Sequence, residues 1–296
     1  MNSASAKSYY SASEGEDRMV IVMQDLSVSG EFGHQFKGAT PTQVETGINY
    51  LVNLHSEWLH EEKKQILENH LPHVPHLLYK SLVGPVKGWI ERSFELIDNR
   101  TMPVQYKGTT FEKLGRNILQ DPSFLWKVTS NMEGRLQTLL HSDFRLDNLW
   151  FSEDHSQIIP CDWQGMFCSA ILVPPNSFLC QAIRQDNPLA DVLIWILEVC
   201  DDVPNQFPIM LKSYHNKLLE QGVTDYSYDD CLWDARMWSF ACIFVRCLHV
   251  CACITFWDNS KVLKSCIFMM ERSIQVIDQT DISFFEKLES KGSEPF

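Results

Sequence analysis

His141-Ser142-Asp143-Phe144-Arg145-Leu146-Asp147-Asn148 has the form H-x-D-x-x-x-x-N, and Cys161-Asp162-Trp163-Gln164 follows a short way on. One Asp, an Asn five residues later and a second Asp on a separate strand make up the polar set that phosphoryl transfer requires. The first Asp orients a hydroxyl nucleophile and accepts its proton. The Asn and the second Asp hold Mg²⁺ against a triphosphate, where negative charge builds up in the transition state. The residues between the two motifs explain how these groups would meet. Leu149, Trp150 and Phe151 form a short apolar edge, Ser152 to Gln157 a polar turn, and Ile158-Ile159 lead into Cys161, which is a hairpin pattern. Asp162 would then return beside the loop that carries Asp143 and Asn148. Three oxygen-bearing side chains can converge there on one hard cation, which prefers oxygen ligands and keeps several waters.

The bulk of the chain sets limits on the rest. At 296 residues and 34.3 kDa it can bury a sizeable core, as one large domain or two small ones. Apolar residues make up 45%, with nine Trp and seventeen Phe, so the chain is globular. A net charge of −13 argues against a nucleic-acid surface, which needs clustered Lys and Arg. The ten cysteines lack paired C-x-x-C spacing and read as buried reduced thiols rather than zinc ligands or disulfides. The N-terminus is Ser-rich and carries Glu14, Glu16 and Asp17 where a signal peptide would have its apolar core. A cytoplasmic setting is therefore expected. The longest apolar run, Ser239 to Trp257, has Arg246 and His249 in its middle and is short of the roughly 20 residues a membrane span needs. It reads as a buried core helix.

Along the chain, residues 1–17 have little pattern and read as a flexible N-terminal tail. Arg18 to Met23 is a compact apolar run, read as a buried strand that ends in a turn at Gln24-Asp25-Leu26-Ser27. Val28 to Lys37 reads as loop. Thr40, Pro41 and Gln43 form a capping-box signature, after which Val44, Ile48, Leu51, Leu54 and Trp58 recur at helical spacing. Asp121-Pro122 opens a second helix, with Leu125, Val128, Met132, Leu136 and Leu139 expected on its buried side up to His141. A Pro-rich loop follows Gln164, and helices are expected over Leu189–Val199, Phe207–Gln221, Asp229–Trp257 and Lys261–Val276. Few strands before a helix-rich body give an α+β class.

Taken together, these segments resemble the choline-kinase-like and aminoglycoside-phosphotransferase-like members of the protein-kinase-like fold, in the ecdysteroid-kinase-like branch. The matching stretches are Val22 to Leu26 (the hinge strand), Leu51 to His55 (the first large-lobe helix), His141 to Phe151 (the catalytic loop), Pro160 to Gln164 (the metal-binding strand) and Leu189 to Leu193 (the following helix start). The resemblance implies a helical large lobe over residues 28–296, with residues 18–27 as a remnant of the small-lobe sheet. It implies ATP-dependent phosphorylation of a hydroxyl on a small-molecule alcohol. Asp143 would be the base, and Asn148 and Asp162 would be the Mg²⁺ ligands. His141 would brace the loop through backbone hydrogen bonds, and backbone groups of Met23, Gln24 and Asp25 would receive the adenine of ATP. Ser142 stands where the family usually has Gly.

Blander readings stand beside these. Arg145 and Asp147 alternate with Phe144 and Leu146 and read as an ion pair or cap. His55 reads as a packing histidine, and Asp191 as an N-terminal helix charge or cap, with a role supporting the site residues as its alternative. Trp233, Trp238, Phe240 and Trp257 read as core. Kinases of this fold also need a Gly-rich loop, a strand Lys and a helix Glu before the hinge strand. The residues before Arg18 contain only Lys7 and Gly15 toward that set. The expectation is therefore a chain whose small lobe is largely missing, either a kinase whose sequence is incomplete or a pseudokinase and binding module without turnover. An unrelated helical protein with a chance motif is a third reading.

Overall fold

The capping box at Thr40 forms. Thr40 Oγ1 accepts from Gln43 N at 3.2 Å and Gln43 Oε1 accepts from Thr40 N at 2.8 Å, while Pro41 brings no N–H to the first turn. The structure, a computed structural model, describes residues 6–14, 18–70, 86–99, 102–132, 134–163, 184–256 and 260–291. Its strands are β1 (Ser8–Glu14), β2 (Arg18–Met23), β3 (Gly30–Phe32), β4 (Thr138–Leu140), β5 (Leu149–Ser152), β6 (Ile158–Pro160) and β7 (Arg184–Asp186). Its helices are α1 (Pro41–Leu59), α2 (Glu61–His70), α3 (Val86–Asp98), α4 (Thr110–Gln120), α5 (Ser123–Thr129), α6 (Leu189–Val199), α7 (Val203–Glu220), α8 (Tyr228–Phe256), α9 (Ser260–Ile277) and α10 (Ile282–Glu289). Helix predominates in an α+β arrangement, and the residues fall into two units.

The first unit takes Met1–Leu71, Thr138–Val199 and Asn216–Thr224. Ile48, Leu51, Val52 and Leu54 make the buried face of α1, which packs on β4, β6 and α6. Burial of such a stripe, rather than helix propensity, is what holds an amphipathic helix in place. Gly47 lets α1 approach α6 closely, since a Cβ there would run into the Trp195 ring. The expected hairpin is present as an antiparallel β3-β5-β6 sheet, with Trp150 opposite Ile159 and Phe32 opposite Trp150. β4 pairs with β7 in a separate ladder.

Several expectations give way. Ser8–Glu14, expected as tail, is strand, because β2 supplies its hydrogen-bonding partner. β2 is not buried: Val20, Ile21, Val22 and Met23 are 58%, 47%, 48% and 53% exposed, since the described residues cover neither face of this two-stranded ribbon. Within Val28 to Lys37, Gly30–Phe32 pairs onto β5 and Gln35–Lys37 forms a 3-10 turn. The single helix expected from Asp121 to Leu139 stops at Thr129 and passes through a 3-10 turn to Met132. Gly134 then takes φ 70°, a left-handed conformation that ends helices, and the chain enters β4. The Pro-rich loop after Gln164 lies outside the described residues.

The second unit takes Pro72–Gln137, Cys200–His215 and Asp225–Phe296. α8 packs on α9 and α3, and α4 packs on α3, α5, α9 and α10. Trp238 and Phe240 are buried as expected. Trp257 lies outside the described residues, and Trp233 is half-buried under the Arg135 guanidinium at 4.6 Å. Buried Asp234 accepts from Arg135 Nε at 2.6 Å and Tyr226 Oη at 2.8 Å, which satisfies a carboxylate that would be costly to bury alone. Burial also pushes the Cys200 and Cys231 thiols up to about 12, away from reactivity. Among the described residues, no helix is long and apolar enough to cross a membrane.

Candidate active site

The H-x-D-x-x-x-x-N loop leaves β4 at His141 and enters β5 at Leu149, so a strand fixes each of its ends. His141 is fully buried, and both ring nitrogens meet backbone. Nδ1 accepts from Asp143 N at 3.3 Å, which leaves Nε2–H to donate to Cys161 O at 3.0 Å. The imidazole thereby ties the loop to the end of β6. Phe144 is buried between Tyr50, whose ring stacks on it at 5.7 Å, and Trp195, edge-on at 5.5 Å.

Asp143 and Asn148 meet directly. Asn148 Nδ2 donates to Asp143 Oδ2 at 2.8 Å and to Asp143 O at 3.0 Å. With both of those bonds on nitrogen, the amide turns Oδ1 away from Asp143, and no hydrogen bond among the described residues ends on it. Asp162 is brought near through backbone, since Cys161 N donates to Asn148 O at 2.8 Å and continues the β5–β6 ladder. Asp162 adopts φ 57°, a conformation that Asp tolerates better than most residues, and its carboxylate is exposed. It makes no described hydrogen bond to Asp143 or Asn148. Among the described residues no cluster of three or more His, Cys, Asp and Glu side chains is arranged for a metal. The candidate set consists instead of an amide oxygen and carboxylates. An amide oxygen with no hydrogen bond and an exposed carboxylate at the end of the adjoining strand fit a hard cation that completes its shell with water and phosphate oxygens.

Met23, Gln24 and Asp25 are all exposed and make no described hydrogen bond to this cluster. Gln24 N donates to Lys7 O at 2.8 Å, and the Asp25 carboxylate turns back on Ser27 N and Oγ, which holds it below its ordinary range. Their link to the site runs through Leu26, whose carbonyl accepts from Trp150 Nε1 at 2.8 Å on β5.

Arg145 and Asp147 form the expected ion pair and extend it. Arg145 Nε donates to Asp143 Oδ2 at 3.0 Å, and Nη1 reaches Asp147 Oδ2 at 3.5 Å. Burial works to lower the Arg145 pKa, but the carboxylates of Asp143 and Asp147 outweigh it and hold the guanidinium above its ordinary value. Asp147 Oδ1 accepts from Gln35 N at 3.0 Å, and Gln35 Nε2 donates to Glu198 Oε1 at 2.7 Å. Sequence reasoning passed over Gln35 and Glu198. A glutamate inside the apolar Leu189–Val199 run was the available signal, because a charge there is buried only with a partner.

Asp191 stands in the first turn of α6, as expected of a helix-start charge, and it also takes the supporting role at the loop. It is fully buried, and its oxygens accept from His141 N at 2.6 Å and Ser142 N at 2.8 Å rather than capping its own helix. The helix start is served by Asn187, whose Oδ1 accepts from Leu189 N at 3.0 Å. His55 Nε2 lies 3.8 Å from Asp191 Oδ2, both side chains fully buried, and Asp191 helps raise the Tyr50 phenol pKa well above its usual range after burial itself. Ser142 takes φ 69° between the two residues that Asp191 and the His141 ring hold.

A model of the ecdysteroid kinase-like family matches residues 2–223. None of the curated proteins matches the chain. A solved structure from Ralstonia eutropha JMP134, named provisionally an aminoglycoside phosphotransferase, shares the fold. It has a TM-score of 0.52 and 11% identity, over 95% of this chain and 80% of that one. The reading of the H-x-D-x-x-x-x-N motif as a chance occurrence in an unrelated helical protein falls with these matches. The chain, predominantly helical with small sheets around its H-x-D-x-x-x-x-N loop, belongs to the ecdysteroid kinase-like family.

Proposed function

We propose that this chain transfers the terminal phosphoryl group of ATP to the hydroxyl of a small-molecule alcohol. Asp143 receives the hydroxyl proton as the oxygen–phosphorus bond forms, and the bond between the terminal phosphorus and the bridging oxygen breaks to release ADP. The observation that supports this best is the Asp143–Asn148 contact at 2.8 Å in a loop whose two ends are fixed by strands. Asp191 accepts from the N–H groups of His141 and Ser142 and the His141 ring from that of Asp143, so the backbone leading into Asp143 is held before substrate arrives, and catalysis of this reaction comes from such positioning. Asn148 Oδ1 and Asp162 would hold Mg²⁺, which supplies charge neutralisation at the phosphates. Backbone groups of Met23 to Asp25 would seat the adenine. A cytoplasmic setting, where ATP and Mg²⁺ are abundant, suits this reading.

The family's name points to a steroid alcohol and the Ralstonia protein's name to an amino sugar, and choline-like alcohols belong beside them. The acidic surface suits a cationic or apolar alcohol better than an anionic one. One observation favours a second reading, a binding module without turnover: Arg145 occupies Asp143 Oδ2. The deciding experiment is calorimetric titration of Mg·ATP into the full chain and into Asp162→Ala, followed by a phosphate-transfer screen over the three alcohol classes with Asp143→Ala as control. Binding weakened at least about tenfold in Asp162→Ala, with transfer abolished in Asp143→Ala, is the expected result. Binding without transfer would favour the module, and no binding to a folded wild-type chain would overturn both.

A further inference from the structure

The geometry points to Arg145 as the group that receives the transferable phosphate of the bound nucleotide, an assignment that rests on the phosphotransfer reading above. An attacking hydroxyl must come within about 3 Å of an Asp143 oxygen, with the phosphorus about 3–3.5 Å beyond it. Arg145 Nε is 3.0 Å from Asp143 Oδ2, which puts the guanidinium within reach of a phosphoryl group carried to that carboxylate.

The way the guanidinium spends its donors supports this. Nε serves Asp143, and Nη1 reaches Asp147 at 3.5 Å. Nη2 makes no hydrogen bond among the described residues, and the side chain is 27% exposed. A planar fork with free N–H groups matches phosphate oxygens in pairs, which an ammonium does not. Charge argues the same way. Asp143, Asp147 and Glu198 all act on Arg145, and a triphosphate approaching three carboxylates needs a cation already in place. Asp147, itself held by Gln35 N, keeps the arginine from swinging into solvent.

A bland alternative is that Arg145 is a strut tying Asp143 to Asp147. The two roles separate by which phosphate they sense. The experiment is calorimetric titration of the full chain with the Mg²⁺ complex of the non-hydrolysable imido analogue of ATP, and separately with Mg·ADP, on wild type, Arg145→Met and Arg145→Lys. Arg145→Met should weaken the imido analogue about tenfold or more while Mg·ADP changes less than about twofold, and Arg145→Lys should lose an intermediate amount on the analogue alone. Equal loss for both nucleotides, or loss for neither, would overturn the assignment. Should Arg145→Met fail to fold by near-ultraviolet circular dichroism, the same comparison in Arg145→Lys decides. A folded wild-type chain that binds neither nucleotide would overturn the phosphotransfer reading itself, and this assignment with it.

Discussion

Ser142 holds a left-handed backbone, φ 69°, beside the candidate base, and its Oγ is buried without a hydrogen-bond partner. Strain of about 1–2 kcal/mol accompanies that conformation in a residue with a Cβ. Glycine would relieve it but gives back about 0.5–1 kcal/mol of unfolded-state entropy. Removing a buried hydroxyl with no partner tips the balance further toward glycine. Ser142→Gly should therefore raise stability by about 1 kcal/mol, read as a higher denaturation midpoint at unchanged slope. A lower midpoint would mean that the serine hydroxyl has a partner when the chain folds. The same scale explains why Asp143 alone is ambiguous in sequence. An Asp near an Asn is most often a turn pair, and only the contacts of His141, Asn148, Asp191 and Arg145 set this one apart.

At the scale of elements, the β5–β6 hairpin is what brings Asp162 alongside Asn148, and its turn is fastened by one exposed carboxylate. Hydrogen bonds from Ser152 and Ser156 hold Asp154 down at about 2, against an ordinary 3.8. A carboxyl depressed in the folded state contributes stability above its unfolded pKa and loses it as pH falls through the folded value. The turn should accordingly loosen between pH 3.8 and about 2. Amide exchange at Ser156 and Gln157, followed by nuclear magnetic resonance across that window, should accelerate in wild type and show no such step in Asp154→Asn. Protection that persists unchanged down to pH 2 would show that the backbone ladder alone holds the turn.

For the whole molecule, His141, Asp143, Asn148, Asp162, Asp191 and Arg145 all belong to the first of the two units, as do Met23 to Asp25. A ligand stabilises what it binds in proportion to its concentration over its Kd. Saturating Mg·ATP should slow hydrogen exchange in residues 138–163 and 18–32, while α8 and α9 of the second unit exchange at their unliganded rates. Slowing confined to α8 and α9 would place the nucleotide elsewhere and remove the assigned site.

Local chemistry made much of this legible in sequence. The capping box at Thr40, the apolar stripe of α1, the hairpin around Asp154 and the polar spacing of the H-x-D-x-x-x-x-N loop all depend on neighbours within a few residues, so periodicity and residue type suffice for them. Where the Asp121 helix ends was not legible, because apolar spacing continued past the left-handed turn at Gly134. Nor was the fate of the apolar Arg18–Met23 run, since period alone does not say whether another layer covers a strand. Asp191 read as a helix-start charge or cap, with a supporting role only as an alternative, because its partners are far away in sequence. It is the acceptor for His141 and Ser142 some fifty residues earlier in the chain, and Glu198 and Gln35 likewise meet across the chain. Residue type and spacing determined which groups could do chemistry. Tertiary structure decided how the loop is held, because the buried carboxylates of Asp191 and Glu198 meet their donors only when packing brings distant segments within hydrogen-bond reach.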